Sequence, residues 1–133
     1  MKIAICGSMA FSKEMLNLKE QLEKLNHTVT VPAGIENFIN GKIKVEDKWE
    51  KIDHDVFKYY FEKIKQNDAI LVINKTKNEI ENYVGGNSLI EIAFAHILDK
   101  KIFLLNKIPV MSYADEIAMT KPIILNNNLD LIK

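Results

Sequence analysis

Apolar residues in this chain recur with two distinct periods. Residues 2–6 and 69–73 are short, nearly continuous apolar runs, which read as strands buried on both faces of a parallel sheet. Between them, Phe11, Met15, Leu18, Leu22 and Leu25 are spaced by four, three, four and three. That stripe belongs to an amphipathic helix. Asn26-His27 ends it, and residues 28–31 form a second strand before Pro32. Residues 33–45, with Gly34 and Gly41, read as a loop with room for a short helical turn. A long second helix is expected over residues 46–66, burying Trp49, Ile52, Val56, Tyr60 and Ile64 on one face.

After the strand at 69–73 comes a polar loop, 74–83, and then a glycine turn into an apolar helix over 88–99. Residues 102–105 form a fourth strand, 106–111 a loop containing Pro109, 113–119 a short helix and 123–125 a fifth strand. A short polar tail closes the chain. This alternation of strands and helices predicts a single α/β domain over residues 1–133. Its expected form is a flavodoxin-like or Rossmann-like three-layer fold with a parallel five-stranded sheet.

Composition narrows the function classes. A chain of 133 residues can bury about two-thirds of its unfolded surface in one core. Eighteen lysines balance eighteen acids, so no net field favours a nucleic acid polymer or an anionic membrane. The sequence contains no arginine, which leaves backbone amides, hydroxyls and lysines to hold any phosphate. The single cysteine, Cys6, excludes an internal disulfide and suits a reducing compartment. No apolar run approaches a membrane span or a signal h-region, so a cytoplasmic location is expected.

Candidate chemistry concentrates at Gly85-Gly86-Asn87-Ser88-Leu89-Ile90-Glu91. This turn should lie at the carboxyl edge of the sheet, where open α/β sheets bind ligands. Ser88 and Glu91 fit a capping box. Alternatively, the Glu91 carboxylate serves as a nucleophile or electrostatic partner for an electron-poor carbon, while Gly86, Asn87 and Ser88 hold an anionic group. Both roles stay open on these residues alone. The first turn, Cys6-Gly7-Ser8-Met9, lacks the further glycines of a dinucleotide site and the Gly-Lys-Ser/Thr of a P-loop. No cofactor is therefore expected. Gly7 and Ser8 could still cradle a phosphate or a base edge, or Ser8 or Ser12 could simply cap the helix. Asp68 opens the third strand at the amino edge, away from the crevice, whereas Asn74 at its far end is better placed for ligand contact. His27, His54 and His96 form no metal pattern, and no metal site is expected. Trp49, Tyr59 and Tyr60 lie at helical spacing and read as core.

With these residues in view, the chain resembles the nucleoside 2-deoxyribosyltransferase-like superfamily, within a branch of small bacterial and archaeal proteins. The likeness is strongest over residues 2–8, 67–74, 83–105 and 108–125. Glu91-Ile92-Ala93-Phe94-Ala95 matches the family's signature helix, and Cys6-Gly7-Ser8 resembles the turn of its deoxynucleoside 5′-monophosphate N-glycosidases. The resemblance implies a small-molecule nucleoside or nucleotide as partner, and cleavage of its N-glycosidic bond or transfer of its deoxyribosyl group. Glu91 would attack the anomeric carbon, and Asp68 would position or protonate the base. Gly7, Ser8, Gly86 and Ser88 would line the sugar and phosphate site. It also implies a homodimer, with Tyr113, Asp115 and residues 126–128 near the junction. A carboxylate can trap an oxocarbenium-like sugar as a covalent ester, as retaining glycosidases do. Two departures favour an alternative, a non-catalytic nucleotide-binding or sensor module on the same fold. Ala4 stands where family enzymes often carry an aromatic residue, and no arginine is available for a 5′-phosphate. A phosphoribohydrolase reading is weaker still, because its glycine turn is one residue longer and it uses an arginine.

Overall fold

A computed structural model describes residues 1–41, 48–53 and 55–133. The strands are β1 (Lys2–Gly7), β2 (Thr28–Thr30), β3 (Ala69–Ile73), β4 (Lys101–Leu104) and β5 (Ile123–Ile124). The helices are α1 (Ser12–Lys24), α2 (Ile35–Ile39), α3 (Lys48–Asp53), α4 (Val56–Lys65), α5 (Gly86–Ile97) and α6 (Ala114–Met119). All strand pairs are parallel, in the order β2-β1-β3-β4-β5. The chain is thus an α/β domain of flavodoxin-like topology, with the strand order reversing between β1 and β3.

Alternation along the strands sorts their side chains into two layers. Ile3, Ile5, Leu71, Ile73 and Phe103 pack against Met15, Leu18 and Leu22 of α1. Ala4, Cys6, Ile70, Val72, Ile102 and Leu104 face the other way, onto Tyr60 and Ile64 of α4, Ile92 and Ala95 of α5 and Ile117 of α6. Cys6 and α5 therefore share one layer.

Two sequence expectations need correction. The helix expected over 46–66 is two helices. Asp55 adopts a left-handed backbone (φ 44°) and its carboxylate accepts the Lys58 amide at 3.2 Å, so it starts α4 afresh. The apolar stripe is broken there. Tyr60 and Ile64 are buried, whereas Trp49 is 64% and Ile52 61% exposed, and Val56 is also exposed. Residues 46, 47 and 54 of that expected helix, with 42–45 of the preceding loop, lie outside the described residues. The tail is also less polar than expected, because Leu129 and Ile132 are buried against the α1 layer.

Candidate functional site

The reversal of strand order opens a crevice at the carboxyl ends of β1 and β3, the place where ligands bind in sheets of this kind. Gly7 and Ile73 pair there. Gly7 has φ +154°, and a Cβ on it would lie 3.1 Å from the Ile73 carbonyl oxygen. The two strand ends meet this closely only because position 7 lacks a side chain. Ser8 follows as cap of a 3-10 turn, Met9–Phe11, and its Oγ accepts the Ala10 amide at 3.2 Å. The capping role considered for Ser8 is thus occupied. The same Oγ also accepts from Lys77 Nζ at 2.7 Å, and Lys77 lies 5.5 Å from the centre of the Tyr83 ring.

Lys77 reaches this position because residues 77–80 form a small hairpin turn. Lys77 and Ile80 exchange backbone hydrogen bonds at 3.0–3.1 Å, and Asn78 and Glu79 hold positive φ, the geometry of a tight primed turn. The sequence carries no signal that singles out Lys77 from seventeen other lysines. Beside this turn, residues 79–82 and 108–110 line an open hollow of about 290 Å³. It contains none of the expected site residues.

The glycine turn differs from the expected one. Gly85 is extended (ψ 172°) and α5 begins at Gly86, with no side-chain cap. The first intrahelical bond runs from the Leu89 amide to the Gly85 carbonyl at 2.9 Å. The amides of Gly86, Asn87 and Ser88 therefore have no partner within the helix. Gly86 and Asn87 are exposed and Ser88 is buried. The Ser88–Glu91 capping box does not form, because Gly85 starts the helix three residues earlier than the box requires. Glu91 lies in the second turn. Two tyrosines fix this entry. Tyr113 Oη donates to the Val84 carbonyl, and the Tyr83 ring lies where any side chain at position 85 would approach it to 3.3 Å. Burial, with Tyr83 nearby, raises the Tyr113 phenol above its ordinary range.

Glu91 is half-buried. The Cys6 thiol, only 1% exposed, lies near enough to feel its charge. Burial pushes this thiol well up, and the nearby Glu91 carboxylate adds to the effect. Tyr60 is the second buried neighbour. Its hydroxyl donates to the Ile5 carbonyl, and burial first, then Cys6 and Glu91, raise its phenol well above the usual range. Both residues escaped the sequence reading as site members. Cys6 looked like a strand residue, and Tyr60 looked like core.

Asn74 lies at the crevice edge but is fully enclosed. Its Nδ2 donates to the Asn106 and Lys107 carbonyls, each at 2.9 Å, and its Oδ1 accepts the Asn106 amide at 2.8 Å. Both ends of the amide clamp the loop after β4. Asp68 is not brought to Glu91. It lies at the amino end of β3, roughly 16 Å from the carboxyl end at the usual rise per residue. There its Oδ2 accepts the Lys2 amide at 2.8 Å. In a parallel sheet all amino ends share one edge, and that edge is opposite the crevice. Among the described residues no group of three or more His, Cys, Asp or Glu could hold a metal ion. No described helix is long and apolar enough to cross a membrane.

The sequence matches no family model and no curated protein. Among solved structures, a 2-deoxyribosyltransferase from the psychrotolerant bacterium Bacillus psychrosaccharolyticus superposes with a TM-score of 0.54. Identity is 25%, over 79% of this chain and 72% of that one. This chain is similar to a 2-deoxyribosyltransferase. The deoxyribosyltransferase likeness spans most of both chains and agrees with the parallel five-stranded architecture.

Proposed function

We propose that the protein cleaves the N-glycosidic bond of a 2′-deoxyribonucleoside or its nucleotide, passing the sugar to a second base or to water. The reading is supported by one juxtaposition: a half-buried carboxylate on α5, beneath the strand-order reversal, in a chain similar to a 2-deoxyribosyltransferase. A Glu91 oxygen forms a bond to C1′ as the C1′–N bond breaks. The bonding pair leaves with the base, which takes a proton from solvent. An acceptor base or water then attacks C1′ and releases the carboxylate. Two displacements on one carbon retain its configuration. The uncapped amides of Gly86, Asn87 and Ser88 suit an anionic or hydroxyl group of the sugar.

The test is incubation with a panel of deoxynucleosides and deoxynucleotides, with free base followed by chromatography. Glu91→Gln is expected to lower base release at least about a thousandfold, as loss of a covalent nucleophile does. Equal rates in parent and variant would remove the proposal. A binding-only role is the competing reading, favoured by the distance of Asp68 from the crevice. Saturable nucleotide binding with no base release at stoichiometric protein would establish it.

A further inference from the structure

We infer that Lys77 is a specificity-determining residue: with Ser8 it receives a phosphate group at the crevice, so that the substrate taken there is the nucleotide. The inference deepens the glycosidic reading and rests on it for its kinetic consequence. Lys77 comes from the loop after β3, yet its Nζ donates to Ser8 Oγ at 2.7 Å, just beyond the end of β1. A charge drawn partly out of water is costly unless it is compensated. Among the described residues no carboxylate pairs with Lys77. Glu79 and Glu81 of the same loop line the neighbouring hollow. Its partners are a neutral hydroxyl and the Tyr83 ring, 5.5 Å away. A positive charge is thus held at the crevice without a counter-charge.

The hydrogen-bonding groups around this charge are one-sided. An ammonium has three protons to donate, and Lys77 gives one to Ser8. Ser8 Oγ accepts twice, from Lys77 and from the Ala10 amide, which occupies both of its lone pairs. Its own proton therefore points away from both, and no described residue accepts it. The Tyr83 ring that Lys77 faces also abuts Gly85, where α5 begins. The amides of Gly86, Asn87 and Ser88 have no partner within that helix. Ser88 is 3% exposed, and its hydroxyl makes no hydrogen bond among the described residues. Since no enclosed polar side-chain atom among them lacks a partner, the little of Ser88 that meets solvent is this hydroxyl. Each of these groups has a proton to donate, and one carries a full positive charge. The complement is an anion with several acceptor oxygens, and a phosphate monoester has three.

Two measurements test this: calorimetric titration with inorganic phosphate, and base release from 2′-deoxynucleosides and their 5′-monophosphates compared in pairs. Lys77→Gln is expected to weaken phosphate binding at least about tenfold, because a charge-assisted hydrogen bond is lost. It should raise KM for the monophosphates by a similar factor, with KM for the nucleosides within about twofold of the parent. A purely structural role would move both substrate classes together, so equal shifts overturn the inference. Equal phosphate affinity in parent and variant, or a parent that prefers nucleosides, overturns it as well. Phosphate that binds the parent without competing against the monophosphates marks a site for the free ion and also overturns it. If the parent releases no base from either class, the glycosidic reading fails, while the titration still decides whether Lys77 holds the anion. Base release from nucleosides with no phosphate binding leaves that reading standing and removes the inference.

Discussion

Cys6 and Tyr60 keep their protons because burial disfavours their anions and the Glu91 carboxylate adds to that penalty. The consequence for stability has a definite sign. Both groups bind a proton more tightly when folded, so their contribution is complete below the ordinary thiol value. It is lost as pH rises through the window between the unfolded and the folded values. Thermal unfolding measured against pH should show a midpoint that falls above about pH 9, where an unfolded thiol ionises. Cys6→Ala should fall less steeply at first, leaving only the phenol. A parent midpoint that is flat across this window would contradict the burial of both protons. At this scale the sequence was half legible. Glu91 stood out because a lone acid entering an apolar helix is a local anomaly. Its charge acts on Cys6 and Tyr60, which lie on two other elements, and no local pattern records that. Lys77 stayed hidden for the same reason.

Among the elements, those with an unbroken period were legible and those set by a single backbone angle were not. The stripe from Phe11 to Leu22 specifies α1, and the run from Ala69 to Ile73 specifies β3, because each sequence period matches one geometry. The helices α3 and α4 read as one, since their apolar spacing runs through Asp55 without a proline or glycine. The break depends on the left-handed conformation of Asp55 and its bond to the Lys58 amide. The start of α5 was misplaced in the same way, because Ser88 imitates a cap that Gly85 makes unnecessary. The junction at Asp55 yields a prediction. Asp55→Ala removes the cap and leaves an alanine in a strained backbone, which should cost about 1–2 kcal/mol. Chemical denaturation would register this as a lower midpoint with unchanged slope. An unchanged midpoint would mean that α4 is held by Tyr60 and Ile64 alone.

For the molecule as a whole, the order of elements along the chain was readable, and with right-handed crossovers it restricts the possible sheets to a few. The spatial order β2-β1-β3-β4-β5 was not itself readable, because strand pairing is a property of distant segments. Nor were the bonds made by Asp68, to which the family resemblance assigns chemistry. Here it ties three strands together. Its carboxylate takes the Lys2 amide, its own amide reaches the Lys2 carbonyl at 2.8 Å, and its carbonyl accepts the Lys101 amide at 3.2 Å. Asp68→Ala should therefore lower the unfolding midpoint and leave base release within about twofold of the parent, since distant sites act independently. Loss of base release in a protein that is still folded would return Asp68 to the reaction.

That knot at the amino rim has a corollary for stability. Whatever tightens or loosens it acts a full strand length from the crevice. A substitution there therefore reaches thermal stability without touching the side chains at the opposite rim.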